Sequence, residues 1–334
     1  MTAAIDTSAF ADWLRSRDLG KLEMIEAVAG GQSNPTFFVS AGGKAYVLRK
    51  KPGGSILKGA HAVDREYRVL AALVETDVPV PRPVAFCDDT AILGTEFYLM
   101  ERIDGRVFHD AALPEMAPDE REAIYLSMAE TLARLHGVRP DEVGLGDYGR
   151  PTGYFERQYS RWLSQWHAAQ DFDIPALDRL AERLKDHLPK DDGQAAIVHG
   201  DYRIGNLIYH PLEPKVVGVL DWELSTLGHP LADLGFCCMP WRTMPEEYGG
   251  IRGLGAEVDG IPSQERFVAH YMQHAISAAP LEPAHEAFAL FRFAVIFVGI
   301  AERARQGNAA DPEARKLTPL AARFAARGLE LIPG

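Results

Sequence analysis

An α+β fold is predicted for this chain of 334 residues, and three observations predict it. The first hundred residues alternate short β-prone runs with turn residues, and they hold one internal helical pattern. Beyond residue 103, apolar residues recur at helical spacing in one long segment after another. A strand–turn–strand stretch near Leu207 to Leu220 interrupts those helices. The shift sets the expected boundary: residues 1–103 form a strand-rich N-terminal lobe and residues 104–334 a mainly helical C-terminal one.

Taken in order, the first twenty residues predict an amphipathic helix with Phe10, Trp13 and Leu14 on one face. Residues 22–49 read as strands, and the turn Ala41-Gly42-Gly43-Lys44 separates Phe37-Phe38-Val39 from Tyr46-Val47-Leu48 as in a hairpin. Pro52-Gly53-Gly54 breaks the pattern. From His61 to Leu73, Val63, Tyr67, Leu70 and Leu73 recur at helical spacing with Glu66 beside them. Pro79, Pro81 and Pro83 force an extended connection, after which Ala91 to Met100 read as two strands around Gly94. Helices follow over Glu122 to His136, Tyr154 to Trp166 and Leu177 to Leu188. Then come short strands at Ile197-Val198, Leu207-Ile208-Tyr209 and Val216 to Leu220, and a long helical C-terminus.

The bulk numbers narrow the function. The composition, 47% hydrophobic and 25% charged, is that of an ordinary globular protein. Acidic residues outnumber basic ones, 47 to 35, for a net charge of −12, which argues against nucleic acid as a partner. Cys87, Cys237 and Cys238 offer no CxxC pair, and adjacent cysteines are poor disulfide partners. The N-terminus lacks the basic and apolar regions of a signal peptide. The apolar stretch Phe288 to Ala301 is broken by Arg292 and is short for a bilayer. A cytoplasmic protein acting on a small molecule, without a membrane or nucleic-acid partner, is the expectation.

The chemistry concentrates in His199-Gly200-Asp201-Tyr202-Arg203-Ile204-Gly205-Asn206 and, one hairpin later, Val219-Leu220-Asp221-Trp222-Glu223. Asp201 and Asn206 stand five residues apart, as do the catalytic-loop Asp and Asn of protein kinases, and Asp221 stands where the kinase metal-binding Asp stands. A hairpin returns Asp221 toward Asn206, so an amide oxygen and a carboxylate can share a magnesium ion. Asp201 is left to orient a substrate hydroxyl and accept its proton. Phosphoryl transfer asks for little more than positioning and charge neutralisation. His199 is read as fixing the loop, Arg203 as neutralising phosphoryl charge or pairing a carboxylate, and Glu223 as joining the metal shell or lying outside it.

These phrases resemble the aminoglycoside phosphotransferase and choline kinase-like family over nearly the whole chain. Tyr46-Val47-Leu48-Arg49-Lys50-Lys51-Pro52, Leu224 to Asp233 and Gly299-Ile300-Ala301-Glu302-Arg303 resemble the branch whose kinase-like portions are fused to acyl-CoA dehydrogenases. The resemblance implies a protein kinase-like two-lobed fold, with ATP and Mg2+ as cofactors. Gly30-Gly31-Gln32-Ser33-Asn34 resembles the loop over the ATP phosphates, placing Gly31, Gln32, Ser33 and Asn34 there. Glu66 resembles the helix glutamate that pairs with a basic residue on the phosphates. Arg49 stands where the family usually has lysine, and strand alternation sends Lys50 to the opposite face. Phe97 to Gly105 resembles the interlobe hinge, with Glu101 and Ile103 meeting the adenine edge through backbone and Met100 packing on the ring. Asp233 matches a helix-start aspartate that caps backbone N–H groups.

The expected activity is ATP-dependent transfer of a γ-phosphoryl group to an alcohol group, with a hydroxyacyl-CoA or hydroxy acid as acceptor. Arg157, Arg161, Arg242, Arg252, Arg303 and Arg305 are candidates for a basic acceptor pocket. Two alternatives stand beside it. One is an aminoglycoside- or choline-type kinase. The other is a pseudokinase-like nucleotide sensor or scaffold without transfer, which the arginine at position 49 motivates.

Overall fold

The computed structural model describes residues 7–28, 34–53, 62–169, 171–276, 279–305 and 318–332. Helix α1 (Thr7–Ser16) buries Phe10, Trp13 and Leu14. Its Phe10 and Trp13 rings meet Phe97 edge-on, with centroids 5.8 and 4.8 Å away. Strands β1 (Leu22–Ala27), β2 (Thr36–Ala41), β3 (Lys44–Lys50), β4 (Pro83–Cys87) and β5 (Phe97–Glu101) form one antiparallel sheet in the order β1-β2-β3-β5-β4. Helix α2 (Val63–Leu73) buries Val63, Glu66, Val69, Leu70 and Leu73. Members of that set lie three, four or seven residues apart, as a helix with one inward face requires.

One stretch of this lobe departs from the expected strands. Ala91 to Leu93 belong to the short helix α3 (Thr90–Leu93), and the strand before β5 lies upstream at Pro83. Local capping decides this against β propensity. Asp89 accepts a hydrogen bond from the Ala91 N–H at 2.9 Å, and Gly94 closes the turn in the left-handed region.

Beyond Glu101 the chain is mainly helical: α4 (Pro118–Gly137), α5 (Tyr154–Ala168) and α6 (Pro175–His187) precede the motif region. There β6 (Ala196–Val198) pairs with β9 (Thr226–Gly228), while β7 (Leu207–Tyr209) and β8 (Val216–Val219) form a hairpin. Helices α7 (Pro230–Cys237), α8 (Met239–Arg242), α9 (Gln264–His274), α10 (Pro283–Arg305) and α11 (Thr318–Leu331) follow. Tyr98 and Met100 of β5 pack into the same core as Leu132 of α4, Leu207 of β7 and Leu234 of α7, so one apolar core spans sheet and helices. A second core joins α5, α6, α10 and α11 through Tyr159, Leu180, Phe291, Phe297 and Phe324. Each such side chain contributes on the order of 1.5–3 kcal/mol when fully buried.

Helix α10 is longer than the apolar run in the sequence suggests: 23 residues, long and apolar enough to cross a membrane by length and composition alone. Here it is a core helix, largely buried against its neighbours. All three cysteines are buried and free.

Candidate phosphotransfer site

Gly200 makes the first bend of the site. It adopts φ +84°, and a Cβ there would stand 2.7 Å from the Leu224 carbonyl oxygen, so only glycine fits. Asp233 fixes this bend from behind, accepting the His199 N–H at 2.6 Å and the Gly200 N–H at 2.9 Å. The sequence predicts that Asp233, at a helix start, caps backbone N–H groups, and it does so on the loop rather than on its own helix. The helix itself is capped by His229, which accepts from the Leu231 N–H. Burial pushes the Asp233 pKa up, but the His136 ring at 3.3 Å, His199 and the loop N–H groups outweigh it and hold it below the ordinary aspartate value. From the other side, Arg292 of α10 donates to the Gly200 carbonyl. The charge that interrupts an apolar helix thus has a job at the site.

His199 is fully buried. Its Nε2 donates to the Leu220 carbonyl at 2.8 Å, and its Nδ1 accepts the Asp201 N–H at 3.2 Å. Both ring nitrogens are occupied in holding backbone, and neither faces a proton to transfer.

Asp201 projects from this bend. Asn206, five residues on in a 3-10 turn, donates its Nδ2 to the Asp201 carbonyl and to Asp201 Oδ2, each at 2.8 Å. Arg203 Nε lies 3.4 Å from the same Oδ2. Among the described residues nothing bonds Asp201 Oδ1 or Asn206 Oδ1, so each is kept for another partner. The Asn206 carbonyl accepts the Leu220 N–H at 2.9 Å, which ties the start of the hairpin to its end. Asp221 follows at once and adopts φ +66°. A left-handed non-glycine residue is uncommon, and aspartate is among the few that tolerate it. Glu223 lies in the 3-10 turn after it, half-buried. Asn206 and Asp221 present only oxygen donors, the set a hard cation such as magnesium takes.

Arg49 and Lys50 separate as strand alternation predicts. Lys50 Nζ donates to the Leu93 carbonyl at 2.6 Å, while Arg49 points the other way, with Nε 3.2 Å from Glu66 Oε2 and Nη2 3.1 Å from Asp221 Oδ1. Glu66 is 1% exposed. It also accepts from Asn34 Nδ2 at 2.6 Å and from the Tyr98 hydroxyl at 2.9 Å. Burial lifts the Glu66 pKa, and Arg49, Tyr98 and Asn34 oppose the lift. Arg49 loses solvation but gains Glu66 and Asp221, so it is held protonated even more firmly than a free arginine. Tyr98 was not anticipated as a site residue; its register opposite Arg49 on β5 is the signal that finds it.

The remaining expected contacts divide. Gly31, Gln32 and Ser33 lie outside the described residues. Asn34, expected at the phosphates, instead turns its amide onto Glu66. Met100 is buried in the core opposite Val47 of β3, and the Glu101 N–H, which is not the group expected at the adenine edge, bonds the Arg82 carbonyl. Ile103 is half-buried and reaches over β8, where a Cβ on Gly218 would lie 2.9 Å from its Cδ1. Of the six arginines expected to form a basic pocket on the helices, four are engaged elsewhere. Arg242 pairs with Glu286, Arg252 with Glu330 and Arg305 with Asp171 and Glu302, while Arg157 donates to the Arg150 carbonyl. Long flexible side chains on helices found their nearest carboxylate or carbonyl instead.

Beside the Gly200 bend lies a cavity of about 390 Å³, lined by Arg203, Ile204, Tyr125, Met128, Phe236, Cys237, Met239, Tyr248 and Phe293 among others. Its walls are predominantly apolar. Glu247 also lines it, but both its carboxylate oxygens are bonded to Arg327, at 3.0 and 3.1 Å. A shallower depression of about 630 Å³ adjoins it through His109 and Gly249.

The sequence model of the phosphotransferase enzyme family matches residues 24–287. A protein of Gallus gallus named acyl-CoA dehydrogenase family member 11 is 44% identical over 313 residues, which is 92% of this chain and 40% of that protein. The chain thus spans about two-fifths of the length of that curated relative. A crystal structure from Ralstonia eutropha JMP134, provisionally designated an aminoglycoside phosphotransferase, superposes with a TM-score of 0.89 at 42% identity and covers 98% of both chains. A thermostable variant of an aminoglycoside phosphotransferase, in ternary complex with ADP and hygromycin B, shares the fold with a TM-score of 0.65 at 13% identity, over 98% of this chain and 99% of that one. With its kinase-like fold and with residues 24–287 matching the family's model, the chain belongs to the phosphotransferase enzyme family.

Proposed function

We propose that the chain is an ATP-dependent kinase that transfers the γ-phosphoryl group to a hydroxyl of a small acceptor, with Asp201 as the base. The observation that carries this reading is the Asp201 carboxylate, held at Oδ2 by Asn206 and Arg203 and open at Oδ1, beside an apolar cavity. We place the nucleotide between lobes that meet near residue 103, with its phosphates toward Arg49. Asn206 and Asp221 would hold magnesium, which when bound neutralises phosphate charge.

The side chains divide the work. Asn206 and Arg203 fix the Asp201 carboxylate so that its free oxygen can orient the acceptor hydroxyl and accept its proton. Arg203 also faces the cavity, where its charge can meet the transferring phosphoryl group or an acceptor carboxylate. Glu66 holds Arg49, and Asp233 with Arg292 holds the loop backbone. For the acceptor, the apolar cavity and the guanidinium at its mouth suit a hydroxy acid or hydroxyacyl-CoA better than a polycationic aminoglycoside. The carboxylate that could attract a cation, Glu247, is already neutralised by Arg327. The named likeness to acyl-CoA dehydrogenase family member 11 supports the same choice.

A second reading is a nucleotide sensor without transfer. What favours it is Arg49, which already occupies an oxygen of Asp221. Mass spectrometry decides between the two, with MgATP and one acceptor class per reaction: hydroxyacyl-CoAs, hydroxy acids, choline-like amines or aminoglycosides. A product heavier by one phosphoryl group in the hydroxyacyl-CoA or hydroxy-acid reactions, absent with Asp201→Ala, is the expected result. Nucleotide binding with no product in any reaction would favour the sensor.

A further inference from the structure

Glu130 of α4 and His270 and His274 of α9 bring one potential ligand atom each to within 4.8 Å of one another. None of them takes part in the site above. The histidines are four residues apart, so they share one face of α9, and their ring centroids are 4.5 Å apart. Glu130 and His270 are half-buried and His274 is exposed, so an ion can enter from solvent.

The His274 ring is already set for coordination. Its Nδ1 lies 2.8 Å from the His270 carbonyl oxygen. A carbonyl only accepts, so Nδ1 carries the proton and Nε2 keeps its lone pair. A hydrogen bond of this kind, from the second ring nitrogen to a backbone carbonyl, is the usual companion of a metal-bound imidazole. Glu130 Oε1 accepts from Arg134 at 2.5 Å, which among the described residues leaves Oε2 for a ligand. Two imidazoles and one carboxylate suit a borderline divalent ion with a fourth position for water, whereas calcium and magnesium would ask for oxygens alone.

We propose that Glu130, His270 and His274 form a zinc-binding site that fastens α9 to α4. The seam it closes supports the phosphotransfer loop. Tyr271, next to His270, has its hydroxyl 2.8 Å from His136 Nδ1 near the end of α4, and His136 in turn contacts Asp233 behind Gly200. Zinc at this seam stiffens the scaffold behind the loop without touching substrate.

The test uses the 334-residue chain stripped of metal and titrated with zinc chloride against a chromophoric zinc chelator, with thermal unfolding in parallel. One zinc per chain should bind and raise Tm by a few degrees. His270→Ala and His274→Ala should each weaken zinc affinity by at least about tenfold and abolish the Tm shift. Arg134→Ala, which frees Glu130, should bind zinc at least as tightly as the parent. Circular dichroism of the variants separates a lost ligand from a lost fold, since both histidines lie toward the surface. Equal zinc affinity in the parent and in the folded double histidine variant would overturn the proposal, as would a parent chain whose Tm ignores zinc.

Discussion

Arg49 holds two carboxylates at once. Its Nη2 donates to Asp221 Oδ1 at 3.1 Å and its Nε lies 3.2 Å from Glu66 Oε2, so one side chain of β3 joins α2 to a residue 172 positions later in the chain. An ammonium at this position could not present two nitrogens in a fixed fork. Arg49→Met should therefore do more than remove the proposed phosphate contact. It leaves the buried Glu66 without its cation, and chemical denaturation should show a loss of about 3 kcal/mol. Arg49→Lys should cost less stability than Arg49→Met while raising the KM for nucleotide. An Arg49→Met variant as stable as the parent would mean that the pair carries no weight in the fold.

Asp233 acts through backbone. Asp233→Ala strands the His199 and Gly200 N–H groups in a buried place, each worth about 1–3 kcal/mol when left unpaired. Unfolding measurements should show a loss of that order. In kinetics the variant should lose kcat with little change in nucleotide KM, because only the loop that aims Asp201 is disturbed. A change in nucleotide KM alone would contradict this assignment.

His285 supplies a pH signature. Burial lowers its pKa to about 4, opposed by the Glu282 carbonyl and helped by the neighbouring His229. The unfolded chain binds the proton near pH 6.5, so between pH 6.5 and 4 the unfolded state holds more protons than the folded one. Stability should fall as pH drops through that window, by up to about 3 kcal/mol from this residue. His285→Gln should flatten that part of the curve of denaturation midpoint against pH. A curve of unchanged slope would remove His285 from the account.

The cavity beside Arg203 can be filled from its wall. Ala111 lines it and is buried. Ala111→Leu should raise the acceptor KM by roughly tenfold, the scale on which a few methylenes count in an apolar pocket, and leave nucleotide KM unchanged. Equal effects on both substrates would place the acceptor elsewhere.

Much of this site is legible in sequence because its parts are local. Asp201, Asn206 and Asp221 sit on one bend and one hairpin, and strand alternation alone separates Arg49 from Lys50. What escaped was long-range. Arg292 reads as a flaw in an apolar helix until the fold brings it to the Gly200 carbonyl, 92 residues away. Asp233 reads as a cap of backbone N–H groups, but nothing local shows that β6 ends beside it. Four of the arginines expected in an acceptor pocket, Arg157, Arg242, Arg252 and Arg305, are taken up elsewhere for a related reason. Their reach lets them take whichever carboxylate the fold sets nearby, and residue type does not reveal which that is. Strand prediction failed at Ala91 to Leu93 because two capping residues outweighed apolar propensity.

The most direct measurement compares nucleotide binding and phosphoryl transfer in the parent, Asp201→Ala and Asp221→Ala with MgATP and the acceptor found by mass spectrometry. Calorimetry gives the affinity and product mass the transfer rate. Asp201→Ala should bind MgATP as the parent does and lose at least about a hundredfold in rate, while Asp221→Ala should lose MgATP affinity itself. Transfer at the parent rate by Asp201→Ala would contradict the account.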